Sequence, residues 1–147
     1  MLKRALKRIM VLVSAICIQA CAVTYTGSPA SLDGYSGEIC IIESPNVRAE
    51  FLASYETLLK EKDFPVKIID ENADLKDCEV TSTYLGKWSW DFEPYLAYAE
   101  IHLYRNGAEV GEATYSAPRG GFAMTTKIYD STESKIRLML EKIFPGT

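Results

Sequence analysis

The chain has 147 residues, of which 16 are basic, 20 are acidic and one is a histidine, and its formal net charge is −4. Four of the basic residues and none of the acidic ones lie in residues 1–20, so the rest of the chain carries 12 basic and 20 acidic residues, a net charge of −8. A domain of this charge has no electrostatic reason to approach nucleic acid or an anionic membrane face, and its length suits one domain with one core.

Residues 1–20 have the pattern of a cleaved secretory leader. A basic head is followed by an apolar run of ten residues, 9–18, and the small residue Ala20 stands directly before Cys21. Ten residues form about 15 Å of helix, whereas the hydrocarbon core of a bilayer is about 30 Å thick, so a retained membrane-spanning helix is disfavoured. Two hypotheses remain for this leader: export with lipidation, and export with plain signal-peptidase cleavage.

A cysteine placed directly after Ile18-Gln19-Ala20 resembles the lipobox of bacterial lipoproteins. The resemblance implies that the leader is removed and that Cys21 becomes the acylated N-terminus. Ala22 follows Cys21 with no Asp, which in enterobacteria-like systems implies sorting to the outer membrane. Several acyl chains would hold the protein firmly in the membrane, because one chain alone gives only marginal binding.

Residues 21–37 are predicted to form a flexible tether between this lipid and a single domain at residues 38–147. Residues 24–37 are rich in Gly, Ser and Thr, contain one Pro and show no apolar period. Such a composition is typical of a flexible linker.

Two of the four cysteines remain for the domain, because the resemblance implies that Cys17 leaves with the leader and that Cys21 takes the lipid. Cys40 and Cys78 are an even pair in an oxidising compartment, which favours a disulfide. The alternative is two buried thiols that behave as small hydrophobic side chains. The spacing is not C-x-x-C, which argues against a redox-catalytic role.

The first half of the domain predicts a β-α-β unit. Residues 38–43 are a short apolar run suited to a central strand, and Ser44-Pro45 supplies a helix start. Apolar residues then recur at helical spacing until Pro65, and residues 66–70 form a second strand. Such a unit predicts a right-handed crossover and parallel strands.

The second half begins with two long alternating segments. Residues 78–90 and 95–105 alternate between apolar and polar side chains and are separated by a turn at residues 91–94. In the second of these strands, Ala97, Ala99, Ile101 and Leu103 are predicted to line one face.

Asn106-Gly107 predicts a hairpin to a strand at residues 109–116, because both turn residues tolerate positive φ. A plain two-residue loop would place the Glu112 carboxylate on the apolar face. A β-bulge at Gly111, which brings Ala113 and Tyr115 into line, removes this conflict.

Asp130-Ser131-Thr132-Glu133 matches a capping box with Asp130 as the cap, and apolar residues at helical spacing follow. The whole pattern predicts an α+β fold: a two-layer sandwich in β-α-β-β-β-β-α order, with a four- to five-stranded mixed sheet and two helices.

The residues offer little for catalysis. His102 is the sole histidine and lies on the polar side of its strand, and no motif sets a Ser or Cys nucleophile beside it. One histidine and a disulfide leave no ligand set for zinc or copper, so no metal or other cofactor is predicted. The acidic loop at residues 70–77 lacks the calcium-loop pattern. Gly120-Gly121 does not lead straight into a helix as a phosphate loop does.

The aromatic content is the feature that suggests a binding surface. Tyr98, Glu100, His102 and Tyr104 are predicted to share the polar face of residues 95–105. If that face carries no helix, it is an aromatic and partly charged surface, and we name these four residues as the candidate binding surface. The alternative is ordinary solvated packing.

Residues 87–115, with Gly120-Gly121 and the last helix, resemble small proteobacterial lipoproteins through their W-x-W-D, Y-L-x-Y-A and N-G elements. The resemblance implies class and compartment but no activity. A weaker resemblance, in element order alone, is to accessory lipoproteins of envelope transport and assembly machines, and fold alone does not carry function.

We therefore expect a lipid-anchored lipoprotein of the outer membrane that faces the periplasm and acts as a non-enzymatic binding or assembly module. Its partner is expected to be an envelope protein that docks on the sheet face or on an exposed edge strand. The alternative is a small periplasmic ligand binder or a hydrolase that uses His102, which requires a concave pocket around this residue.

Overall fold

The computed structural model describes residues 23–117 and 130–146. None of the helices in these residues is long and apolar enough to cross a membrane. The elements, in chain order, are β1 Thr24–Ser28, β2 Ile39–Ile42, α1 Ala49–Glu61, β3 Val66–Ile69, β4 Val80–Asp91, β5 Glu93–Arg105, β6 Ala108–Ser116 and α2 Thr132–Ile143.

These elements form a mixed six-stranded sheet, in the order β1-β6-β5-β4-β2-β3, and two helices. Both helices pack against strands of this sheet and against each other, and the core lies between the two layers. The predicted α+β class is confirmed, with one strand more than the four or five expected. That additional strand is β1.

The segment 24–28 is a strand, so the prediction of a flexible tether is wrong for these residues. β1 pairs antiparallel with β6, from Thr24 opposite Ser116 to Ser28 opposite Glu112. Further along, the Ala30 N–H donates to the Ile143 carbonyl at 2.8 Å. Tertiary pairing explains the difference, because a sequence rich in Gly, Ser and Thr forms a strand where a free sheet edge supplies its hydrogen-bond partners.

The predicted β-α-β unit is present, and β2 pairs in parallel with both β3 and β4. Its helix begins later than predicted, at Ala49, with Arg48 as the N-cap and no side-chain cap. The Ser44 N–H instead donates to the Tyr84 hydroxyl at 3.1 Å, and residues 45–47 form a turn. The disulfide between Cys40 and Cys78 is present, which confirms the bridge over two free thiols.

Strands β4, β5 and β6 form an antiparallel meander with two register shifts. One falls between Lys87 and Trp88, so Leu96 rather than Ala97 points into the core. The other is the predicted bulge near Gly111, and it aligns Ala113 with Ile101 as expected.

Helix α2 begins one residue away from the predicted cap. Ser131, not Asp130, is the N-cap, and its hydroxyl accepts a hydrogen bond from the Ser134 N–H at 3.1 Å. The apolar side of the helix is buried as its spacing predicted, through Ile136, Met139, Leu140 and Ile143.

Candidate functional site

The four residues of the candidate binding surface lie on the outer face of the sheet, which we define as the face of β5 and β6 turned away from both helices. Along β5, Leu96, Ala99, Ile101 and Leu103 are buried, whereas Tyr98, Glu100, His102 and Tyr104 are partly exposed. Their common face is confirmed, whereas the binding role remains a prediction.

The bulge in β6 changes the chemistry of this face. Without it, Glu109 and Glu112, three positions apart, would point to opposite sides of the sheet. The extra residue, Val110, brings both carboxylates to the outer face, with Glu109 opposite Tyr104 and Glu112 opposite His102. The Val110 carbonyl accepts a hydrogen bond from the Ser31 N–H at 3.0 Å, so the bulged residue is held in place.

Three carboxylates consequently surround the His102 imidazole. Nδ1 is 3.4 Å from a Glu109 oxygen and 4.0 Å from a Glu112 oxygen, and Nε2 is 3.8 Å from a Glu100 oxygen. The ring also stacks on Tyr104, with the centroids 6.3 Å apart. The side chain of His102 is 25% exposed, but its Nδ1 atom is buried and has no hydrogen-bond partner within the described residues.

His102, Glu109 and Glu112 each offer one ligand atom, and these three atoms lie within 4.8 Å of one another. The sequence reasoning that left no metal ligand set missed this cluster. It counted histidines and cysteines and did not include carboxylates that a bulge carries to the outer face. The feature that could have revealed the cluster is that a plain hairpin register would bury the Glu112 carboxylate. The sequence prediction used this feature only to place a bulge in the hairpin.

Tyr98 and Glu100 are linked on the same face, because the Tyr98 hydroxyl donates to the Glu100 carboxylate. This hydrogen bond to a carboxylate is the main reason that the pKa of Tyr98 is raised above its usual value. The Lys87 ammonium lies 5.7 Å from the centre of the Tyr98 ring. The Tyr98 end of the face is thus aromatic and hydrogen-bonded, and the His102 end is acidic.

Two surface grooves in the described residues lie away from His102. One, of about 240 Å³, lies between the two helices and is lined by Leu58, Glu61, Lys62, Arg137, Leu140 and Glu141. The other, of about 480 Å³, lies between β1 and α2 and is lined by Val23, Tyr25, Leu138, Glu141 and Lys142. Neither provides the pocket around His102 that the alternative hydrolase function requires.

The tip of the β4–β5 hairpin carries two exposed aromatic side chains. Trp90 is 71% exposed and Phe92 is 77% exposed, and Phe92 holds the turn with a φ of 62°. By contrast, Trp88 packs inward against the Phe51 ring, with the Arg48 guanidinium 5.0 Å from its ring centre. Trp88 therefore supports the core, whereas Trp90 faces solvent.

Other predicted features fall outside the described residues. These are the leader, the lipidation residue Cys21 and the Gly120-Gly121 segment.

No protein-family model and no curated protein matches this sequence. Among solved structures, the chain is similar to the PelC dodecamer from Paraburkholderia phytofirmans, with 19% identity and a TM-score of 0.53 over 84% of this chain and 98% of that one. A second PelC dodecamer structure from the same organism, of a point variant, has 16% identity and a TM-score of 0.55 over 82% and 97% of the two chains. At this identity the similarity shows a shared fold.

Proposed function

We propose that the protein is a lipid-anchored lipoprotein of the outer membrane that faces the periplasm and acts as a non-enzymatic binding or assembly module. The observation that carries the proposal is the position of the exposed aromatic hairpin tip relative to the predicted anchor. The hairpin tip and Thr24, the first residue of β1, lie at the same end of the sheet.

The strand register establishes this relationship. Thr24 lies opposite Ser116, Ser116 opposite Tyr98, and Tyr98 opposite Lys87, so the four residues form one row across the sheet. Beyond Lys87 the β4–β5 hairpin extends four more residues to Asp91, about 13 Å at 3.3 Å per residue.

Cys21 precedes Thr24 by three residues, a reach of at most about 11 Å. A lipid on Cys21 would therefore enter the membrane at the end of the sheet where Trp90 and Phe92 project. The indole of Trp is favoured at the membrane–water interface because its ring is apolar and its N–H is polar, and the Phe ring adds apolar area that enters the membrane surface. In this orientation the anchor and the hairpin tip contact one membrane together.

The similarity to PelC supports the assembly part of the proposal. Those solved chains are dodecamers, and this chain has the same fold over most of its length. We propose that this chain also self-associates and presents its free sheet surfaces to an envelope partner. β3 and β1 are the two edge strands of the described sheet, and an edge strand is a template for pairing with another chain.

The first experiment compares the native protein with Cys21→Ser in its own host, by intact mass and membrane fractionation. We expect a mature form that begins at residue 21, carries added acyl mass and resides in the outer membrane, and we expect the variant to lose both. An unlipidated soluble mature form would contradict the proposal and favour a diffusible periplasmic binder or enzyme.

The second experiment tests the hairpin. Trp90→Ser combined with Phe92→Ser should weaken binding of the lipidated protein to outer-membrane-like vesicles, whereas Leu138→Ser, an exposed apolar residue on α2, should not. Equal effects of the two substitutions would contradict the orientation. Sedimentation of the detergent-solubilised protein tests self-association, and a strict monomer would contradict that part of the proposal.

A further inference from the structure

We propose that His102, Glu109 and Glu112 form a binding site for a divalent transition-metal ion on the outer face of β5 and β6. The inference does not depend on the membrane anchor or on self-association.

The spacing of the donor atoms fits a metal ion placed between them. Two ligands about 2.1 Å from a tetrahedral metal are about 3.4 Å apart, which is the geometry of nitrogen and oxygen ligands around zinc. The Nδ1 atom of His102 is 3.4 Å from the Glu109 oxygen and 4.0 Å from the Glu112 oxygen. Small side-chain rotations of the two exposed carboxylates therefore suffice to close the site.

The imidazole nitrogen is the feature that separates this site from a simple acidic surface. Nδ1 is buried, is aimed at the two carboxylates and makes no hydrogen bond within the described residues. A buried nitrogen without a partner loses the hydration it would have in water, and a metal ion restores a strong interaction. Imidazole with carboxylates is a donor set suited to zinc and to neighbouring divalent transition metals.

The other imidazole nitrogen is also directed toward a carboxylate. Nε2 lies 3.8 Å from a Glu100 oxygen, and the other Glu100 oxygen accepts the Tyr98 hydroxyl. A carboxylate behind a metal-bound histidine fixes the ring and favours the proton on the far nitrogen. Glu100 is therefore a positioning residue, and Tyr98 holds Glu100 in turn.

The carboxylates are available to a cation. In the described part of the chain, neither Glu109 nor Glu112 forms an ion pair with a Lys or Arg side chain. The nearby Arg105 guanidinium is engaged by Glu79 at 2.7 Å. The ligands also come from two paired strands, and Glu112 lies directly opposite His102, so little backbone freedom is lost on binding. The Glu109 and Glu112 side chains are 45% and 44% exposed, so water can reach a bound ion from their side and complete its coordination.

The competing explanation is a protonated imidazole that forms ion pairs with the surrounding carboxylates. This explanation predicts that a divalent metal ion does not bind specifically to the Nδ1 atom of His102. The two explanations are separable because His102 is the sole histidine, so every histidine signal comes from this residue.

The test uses the full chain in detergent, purified without a histidine tag and titrated with Zn²⁺ at neutral pH. Calorimetry is expected to show saturable binding of one ion per chain, and long-range ¹H–¹⁵N spectra are expected to show a shift of Nδ1 that saturates with it. His102→Gln, and Glu109→Gln combined with Glu112→Gln, should each weaken binding at least about tenfold. Glu100→Gln should weaken it less and change the tautomer signal of the free protein.

The matched control is Glu71→Gln, which removes one exposed carboxylate from a turn outside the site. Its affinity should equal that of the unchanged chain, and unfolding curves of all variants verify that each is folded. The proposal is overturned if no saturable binding occurs, if binding persists in His102→Gln, or if Glu71→Gln weakens it as much as the ligand variants.

Discussion

The hydroxyl groups of Tyr55 and Ser82 form a hydrogen bond of 2.8 Å in the buried interface between α1 and β4. The Ser82 hydroxyl donates in turn to the His102 main-chain carbonyl at 3.0 Å, so the Tyr55 hydroxyl is the donor to Ser82. Tyr55 is fully buried, and Ser82 is its partner in the core. This short chain of hydrogen bonds links the helix through the sheet interior to the strand that carries the outer face.

We expect Ser82→Ala to lower the free energy of unfolding by about 1–3 kcal/mol, because it leaves the buried Tyr55 hydroxyl without an acceptor. Tyr55→Phe should cost only about 0.5–1.5 kcal/mol, since Ser82 keeps the His102 carbonyl. The double variant should lose less free energy of unfolding than the two single variants together, because it leaves no buried hydroxyl without a partner. Urea unfolding of the four proteins measures the coupling, and strictly additive effects would contradict this account.

The disulfide should contribute substantially to stability. Cys40 and Cys78 are 38 residues apart, and closing a loop of this length contributes about 4 kcal/mol on the chain-entropy estimate. Cys40→Ser combined with Cys78→Ser should therefore lower the urea midpoint, and a reductant should shift the native protein to the same midpoint. A reductant that has no effect on the native protein, while the variant is destabilised, would assign the loss to packing instead.

Stability should fall at alkaline pH. Burial raises the pKa of Tyr25 to about 12, with a smaller contribution from the Asp130 carboxylate, and burial also raises the pKa values of Tyr55 and Tyr115. A raised tyrosine pKa contributes stability that is complete below the unfolded value of about 10 and is lost as pH rises through the folded value.

The contribution of Lys135 to stability changes with pH in the opposite direction to that of the tyrosines. Burial lowers its pKa, so its contribution rises with pH up to the unfolded value of about 10.4. Urea unfolding between pH 8 and 12, read with tyrosinate absorbance, should show loss of stability beginning near pH 10. Stability that rises above pH 11 would contradict the assignment.

The strand β1 should be an integral part of the domain. A Cβ at Gly27 would lie 2.5 Å from the Glu112 carbonyl oxygen and 3.1 Å from Cβ of Lys142, so Gly27→Ala should destabilise by about 1–3 kcal/mol. Thr26→Ala on the same strand is exposed and should change stability by less than about 0.5 kcal/mol.

Amide hydrogen exchange gives an independent measure of the same strand. The β1 amides that donate to β6 should be protected in the unchanged chain and lose protection in Gly27→Ala. Equal stability of the two variants, with rapid amide exchange throughout residues 24–28, would instead support a flexible tether at these residues.

Alternation and turn chemistry were sufficient for the central sheet. Asn106-Gly107 and the apolar period of residues 95–105 predicted the β5–β6 hairpin, and the cost of burying Glu112 predicted its bulge. These features are local, since a two-residue period and a turn that needs positive φ are both properties of a few neighbouring residues. The β2 and β3 strands and both helices follow from the same kind of signal.

The ends of elements were less predictable. Ser44-Pro45 is a suitable helix start, but the Ser44 N–H bonds to Tyr84, forty residues away in sequence, and the helix begins at Ala49. The shift from Ala97 to Leu96 on the core side of β5 likewise depends on how β4 meets it. Where an element begins and which of its residues face the core therefore depend on contacts with residues distant in sequence, which a local pattern does not contain.

By itself, the sequence determined the α+β class, the β5–β6 hairpin and the common face of Tyr98, Glu100, His102 and Tyr104. It favoured a disulfide between Cys40 and Cys78, and the structure decided between that bridge and two free thiols. Only the tertiary structure decided that residues 24–28 join the sheet, because an edge of β6 is there to pair with them. It also decided that Glu109 and Glu112 meet at His102, since one extra residue in a strand moves a side chain to the other face and long-range pairing sets which residue is extra.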